Sequence, residues 1–369
     1  MRTVLTIALL FACAAVAQAQ WNIVERDKRK YVSLEDVANF YKMRRTVFDG
    51  KTFRLVGTGS SIQGGRAGRD VTINGVKYVL CFPMINEGHT TLISAMDVVK
   101  IIEPILRPQK IKNATAVKTV VLDAGHGGHD SGARGPLGVE KEAALDVVLR
   151  TKRLLEAAGY TVRCTRTSDV FVPLEDRAAY ACRFANAVFV SVHFNKSNTG
   201  GGTGLETYCL APRGVPSMDE ENLRYSDFVQ YKGHARDAEN VALATTVHAA
   251  LVRNLNLPDR GIKRARFVVI KNISIPGILV EGGFMSGTPD HQLIATASYR
   301  QKMAESIVEG INRYREAVAG QLQYQRPSVV VSATAPTSVP NLKVTPGSRT
   351  DNAASVAQAQ EALKSSAGN

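Results

Sequence analysis

The sequence predicts an α/β fold, a mainly parallel sheet with helices on both faces, preceded by a small α+β unit. Three observations carry that expectation. Between residues 111 and 319, strand-like apolar runs alternate with stretches of helical periodicity, the signature of a mainly parallel sheet. Several of those strands end on histidine or glutamate beside glycines, as at the carboxyl edge of an open sheet. Nearer the N-terminus, Val71-Thr72-Ile73-Asn74-Gly75-Val76-Lys77-Tyr78 places an Asn-Gly pair between alternating residues, the hairpin signal.

Taken in order, residues 1–19 read as a secretory signal: Arg2, an apolar core from Val4 to Val16, then Ala17-Gln18-Ala19 before the cleavage point. That core is too short to span a membrane, and no later run reaches the roughly 20 residues required, so no transmembrane segment is expected. An exported protein of the periplasm, cell wall or extracellular space is the expectation. Leu10-Phe11-Ala12-Cys13 is a poor lipidation signal because of Phe11 and the short apolar segment before it. Residues 20–108 form the expected α+β accessory unit, with Lys30 to Leu34 extended, Glu35 to Tyr41 helical, and the Asn74-Gly75 hairpin following.

Residues 111–319 form the expected α/β domain. Its predicted strands are Thr119–Leu122, Tyr160–Cys164, Ala187–Val192, Leu205–Leu210 and Gly277–Val280; its predicted helices are Ala143–Ala158, Val241–Leu255 and Tyr299–Val318. After Tyr324 the aromatic residues stop. The remainder, 325–369, is rich in Ser, Ala, Thr, Val, Gln and Pro and cannot bury enough apolar surface to fold alone.

Composition narrows the partners. With 46 Lys+Arg against 33 Asp+Glu the net charge is +13, which favours an anionic surface such as a wall polymer. Nucleic acid is not the expected partner of an exported chain. Beyond the signal the cysteines are Cys81, Cys164, Cys182 and Cys209, whose spacing makes no metal motif; buried free thiols or a Cys164–Cys182 bridge are the open readings.

The chemistry-bearing residues interrupt apolar strands. Val120-Val121-Leu122-Asp123-Ala124-Gly125-His126 is one, Val190-Ser191-Val192-His193 a second, and Leu279-Val280-Glu281-Gly282-Gly283 a third. Two histidines and a carboxylate with a free coordination position form a catalytic zinc shell. Glu140 and Glu142 open the helix that follows the His126 loop, and either is placed to supply the carboxylate. Asp123 is read as orienting the His126 loop, Asn195 as supporting the site or touching substrate amides, His129 as a polar loop residue, and Arg166 and Arg177 as structural. The glycine-rich turn lacks a Walker ending, and no nucleophile elbow occurs, so nucleotide and serine-hydrolase readings fall away.

These blocks together resemble the zinc-dependent N-acetylmuramoyl-L-alanine amidases of the amidase-3 type. The resemblance runs from Lys118 to Val318 through Leu122–Gly128, Gly138-Val139-Glu140-Lys141, Thr165-Arg166 with Leu174-Glu175-Asp176-Arg177, Ser191–Asn195 and Pro276–Phe284, all in order. It implies zinc held by His126, Glu140 and His193, with Glu281 as general base. The bond cut in peptidoglycan would join the lactyl group of N-acetylmuramic acid to L-alanine. Cell-wall turnover or daughter-cell separation is the implied role. An Ala144-Leu145 pair stands where the family has Asn-Leu, which keeps Glu142 open as a ligand. The alternatives are a wall-binding regulatory protein, non-catalytic or switched on by a partner, and a zinc peptidase acting on another amide.

Two further expectations concern accessory parts. The segments around Tyr31–Ala38, the Asn74-Gly75 hairpin and Leu92–Val99 resemble the module named after the N-terminal part of copper amine oxidases, here read as a wall-binding or structural unit. The stretch Pro212–Asn240, with Asp219-Glu220-Glu221, is open to three readings: an inhibitory lid over the metal, a substrate-lining loop, or a surface excursion. The first would require a protein activator.

Overall fold

The computed structural model describes residues 21–48, 50–197, 201–217, 222–286 and 289–322. The expected export signal, the expected tail and Asp219-Glu220-Glu221 lie outside them.

The N-terminal part is mostly antiparallel sheet: β1 (Val24–Arg26), β2 (Arg29–Ser33), α1 (Leu34–Phe40), β3 (Arg44–Phe48), β4 (Thr52–Gly57), β5 (Ser60–Gly65), β6 (Gly68–Ile73), β7 (Val76–Glu87) and β8 (Thr90–Ser94). Ser33 starts α1 as expected of an N-cap, its hydroxyl accepting from the Asp36 amide at 2.9 Å. The predicted hairpin is present: Ile73 pairs with Val76, and Asn74 and Gly75 between them have φ of +52° and +83°. Both positive values suit a two-residue turn whose twist matches the strands, and Asn and Gly tolerate that backbone best. Short helices α2 (Ala95–Asp97) and α3 (Glu103–Leu106) close this part.

The second part comprises β9 (Thr119–Ala124), the two-residue strands β10 (Arg134–Gly135) and β11 (Gly138–Val139), α4 (Glu140–Ala157), β12 (Thr161–Cys164), α5 (Leu174–Ala181), β13 (Ala187–Asn195), β14 (Leu205–Leu210), α6 (Asp237–Leu255), β15 (Asp259–Ala265), α7 (Val268–Lys271), β16 (Gly277–Phe284), α8 (Pro289–Ala295) and α9 (Ala297–Val318). Its sheet order is β12-β9-β13-β16-β14-β15. The first four strands are parallel; β14 runs antiparallel to β16, and β15 parallel to β14. Alternate residues divide between two covers. Val120, Leu122, Val190 and Val280 pack with the α4, α6 and α9 side, whereas Val121, Phe189, Tyr208 and Leu279 join the smaller α5 and α7 cluster. Each such fully buried side chain contributes roughly 1.5–3 kcal/mol.

Strand β15 was not anticipated, because Asp259, Arg260, Lys263 and Arg264 hide its pattern. It joins the two parts: Ile262 pairs with Tyr78 of β7, so one sheet runs from β12 to β3. The four cysteines among the described residues are free thiols, so Cys164 and Cys182 are not bridged.

The sheet also corrects the lid reading. His193 and Glu281 are partners near the carboxyl ends of β13 and β16, and antiparallel β14 starts at that edge, with Glu206 opposite Glu281. Its far end, Leu210, therefore lies at the opposite edge. The described part of Pro212–Asn240 packs there: His234 bonds the Ala211 carbonyl, Arg236 the Ser274 carbonyl, and Asn240 accepts from the Gly277 amide. Among the described residues, that segment forms no cover over the histidines.

Candidate metal centre and active site

His126, Glu140 and His193 converge although they come from a loop, a helix start and a strand end. One donor atom from each lies within 4.8 Å of the others. Glu140 is the hub: its Oε1 is 3.1 Å from His126 Nε2 and 3.0 Å from His193 Nδ1. Backbone amides aim this carboxylate, Phe194 N donating to Oε1 at 3.0 Å and Ala133 N to Oε2 at 2.7 Å. Glu142, the alternative ligand, is exposed and outside the cluster. A helix beginning at Glu140 decides this, since position 142 is turned by about 200° from position 140 around the axis.

The loop that presents His126 must pass against the other ligands, and glycine makes room. A Cβ at Gly125 would meet the His193 ring at 2.3 Å, and one at Gly132, where φ is +64°, would meet Glu140 Oε2 at 2.5 Å. Asp123 supports the loop as expected, but through an intermediary. It is fully buried and accepts from Arg177 Nη1 at 2.9 Å, Thr165 at 2.6 Å and Ser191 at 2.7 Å. Arg177 then donates to the carbonyls of Ala124 and His126, both at 2.6 Å. Arg166 holds the carbonyls of Ala124 and Gly125. Burial alone would raise the Asp123 carboxyl, but Arg177 and the Ser191 and Thr165 hydroxyls bring it below its ordinary value.

Asp130 was missed. It lies 2.8 Å from His126 Nδ1, which leaves Nε2 facing Glu140. The missed signal was chemical: a ligating histidine commonly passes its second ring nitrogen to a carboxylate, and Asp130 stands four residues on in the same loop. Burial depresses the His126 imidazole, but Glu140 and Asp130 outweigh it and lift it to about 10. Burial raises Glu140, and His126 and His193 more than reverse that, holding it well below the carboxylate range. The cluster thus attracts positive charge.

Glu281 follows on the adjacent strand, paired in register with His193. Its Oε2 is shielded from solvent and has no hydrogen-bond partner among the described residues. Burial first, then the charges of Glu140 and Glu206, hold its carboxyl well above the ordinary range. Asn195 bonds the carboxylate that lies opposite Glu281. It is buried, and its Nδ2 donates to Glu206 Oε2 at 3.0 Å because β13 continues through Asn195 and turns that side chain into the sheet. His129 stacks on Phe171 at 4.2 Å and takes no part in the cluster.

The family model for N-acetylmuramoyl-L-alanine amidases matches residues 120–313, more than half of the chain. The chain is 30% identical over 227 residues to the N-acetylmuramoyl-L-alanine amidase AmiA of Escherichia coli, spanning 56% of this chain and 78% of that protein. AmiC of Neisseria meningitidis is 33% identical over 217 residues, 53% of this chain and 52% of that one. Among solved structures, the amidase AmiC2 of Nostoc punctiforme is 34% identical, with a TM-score of 0.44 over 55% of this chain and 98% of that one. The matched segment contains all four converging residues, and the chain belongs to the N-acetylmuramoyl-L-alanine amidase family.

Proposed function

We propose that this enzyme hydrolyses the amide between N-acetylmuramic acid and L-alanine in peptidoglycan, using zinc held by His126, Glu140 and His193. The observation that carries the reading is the convergence of those three donors within 4.8 Å beside Glu281, which is opposite His193 in the ladder. Two imidazole nitrogens and one carboxylate, with His126 steadied by Asp130, suit zinc and leave room for water and substrate. When bound, zinc polarises the amide carbonyl and acidifies a water.

The chain's own residues supply the rest. Glu281 is the base: it takes a proton from the attacking water and returns it to the departing alanine nitrogen. Its unpartnered Oε2 suits that role, since an oxygen committed elsewhere would have to break a bond first. A divalent cation held by His126, Glu140 and His193 would offset the charge of Glu140, which helps to raise the Glu281 carboxyl, and so favour the ionised base. Asp123, Arg166 and Arg177 keep the His126 loop fixed while the substrate changes.

The role that fits this chemistry is wall turnover or daughter-cell separation, after export to the periplasm or wall. Among the described residues no helix is long and apolar enough to cross a membrane. The small N-terminal unit serves structurally in this reading, because β7 extends the catalytic sheet through β15. Product masses test the assignment: free stem peptides released from purified peptidoglycan, and lost on chelation, support it. Cleavage at a different amide would transfer the protein to the zinc peptidases.

A further inference from the structure

A second built feature sits beside Glu281. Glu206, its partner across β14 and β16, is fully buried and gathers four donors. Asn195 Nδ2 and the Tyr208 hydroxyl donate to Oε2; Arg260 Nε at 2.6 Å and Lys263 Nζ at 2.8 Å donate to Oε1. One carboxylate therefore holds two cations.

The two cations are placed differently. The Lys263 side chain is 12% exposed and that of Arg260 34%. Arg260 lies near the start of β15, and because β15 is parallel to β14 and β14 opposes β16, that start falls at the same edge as Glu281. Its stem packs at Gly204, where an added Cβ would come within 2.9 Å of Cγ. Its guanidinium lies 5.1 Å over the ring of Phe284, three residues beyond Glu281 in the same strand. Only Nε is bonded; Nη1 and Nη2 make no hydrogen bond among the described residues.

We propose that Arg260 binds a carboxylate of the substrate's peptide portion, gripping it with Nη1 and Nη2. The inference rests on the peptidoglycan reading above and deepens it by naming a specificity residue. A planar fork fixed on one side by a buried carboxylate and on one face by an aromatic ring has already lost most of its rotamer freedom, so little more is lost on binding. Its geometry matches a carboxylate in a bidentate contact and does not match a carboxamide, which presents one oxygen and a competing donor.

The test uses the full chain with zinc and two muramoyl-peptides, identical except that the second has its carboxylates converted to carboxamides. The expected result is a KM roughly 10-fold to 100-fold lower for the carboxylate form with kcat little changed, the scale of a lost charged hydrogen bond. R260Q should erase that preference. R260K keeps a cation for Glu206, covers the case in which R260Q does not fold, and should retain only part of the preference. Equal KM values in the wild type, or a preference intact in both variants, would overturn the proposal. If the wild type released no peptide, the reaction assignment would fail separately. Calorimetry with the same compounds on wild type and variants would then decide the subsite, a carboxylate preference lost in R260K or R260Q supporting it and equal affinities refuting it.

Discussion

Two histidine–carboxylate clusters occupy opposite faces of the same sheet, and they differ in what they leave unbonded. At the sheet edge His126, His193 and Glu140 meet, and Glu281 beside them keeps Oε2 without a partner among the described residues. On the other face His248 is fully buried on α6, with Nδ1 2.9 Å from the Thr207 hydroxyl and Nε2 2.9 Å from Asp259 Oδ1. Asp259 also accepts from the amides of Gly261 at 2.8 Å and Lys77 at 2.9 Å, the latter across the junction with β7. Neighbouring residues of β14 separate the two systems, Glu206 facing the site and Thr207 facing α6. The lesson is that residue type does not mark a functional cluster. What separates these two is the buried Oε2 of Glu281, which has no partner among the described residues and so carries a cost that a ligand or a reaction can recover.

The sharpest way to break this comparison is to remove a group from each side. His193→Ala should abolish peptide release down to background and lower zinc content, as measured by product mass spectrometry and metal analysis. Glu281→Gln should reduce kcat by about 10²- to 10⁴-fold, the usual worth of a general base. It should keep its zinc and lose no thermal stability, since the change neutralises a buried carboxylate with an unpaired oxygen. Full turnover in E281Q would remove Glu281 from the mechanism.

The junction cluster should respond in the opposite sense. Asp259→Asn replaces an acceptor of three donors by an amide with one acceptor oxygen, and should cost about 1–3 kcal/mol in urea unfolding while specific activity of the folded enzyme is unchanged. Activity lost in proportion to that of His193→Ala would mean that the two clusters are one functional unit. The smallest effect concerns acid. Burial raises the Asp259 carboxyl, but the His248 contact and the Lys77 and Gly261 amides hold it below its ordinary value of 3.8. A depressed acid contributes stability that is complete above that value and drains away as pH falls through the lower folded-state value. The gap in melting temperature between wild type and D259N should therefore narrow below about pH 4. A gap that widens there would reverse the assignment of the charge.

Much of this was legible in the chain. Leu205–Leu210 was bounded correctly, and the Asn74-Gly75 turn formed as its residues require. His126, His193 and Glu281 stood out because each breaks an apolar strand, where a polar group needs a reason. Strand β15 was illegible because its charged residues are satisfied by partners far away in sequence: Arg264 by Asp237 and the Lys100 carbonyl, Arg260 and Lys263 by Glu206. The partner of Asn195 was illegible for the same reason, Glu206 lying on the next strand but one.

By itself, the sequence determined the alternation of strands and helices, the glycines that let a loop pass the ligands, and the identities of the groups brought to the strand ends. These are local properties, written in periodicity and in the conformational freedom of single residues. Tertiary structure alone decided that Glu140 and not Glu142 enters the cluster, that the described part of Pro212–Asn240 packs at the far edge, that β7 and β15 join two parts into one sheet, and that Arg260 is bonded to Glu206 through Nε. The first depends on where α4 begins; the others depend on register and strand direction, which set the partners of a side chain through hydrogen bonds between segments that no local pattern connects.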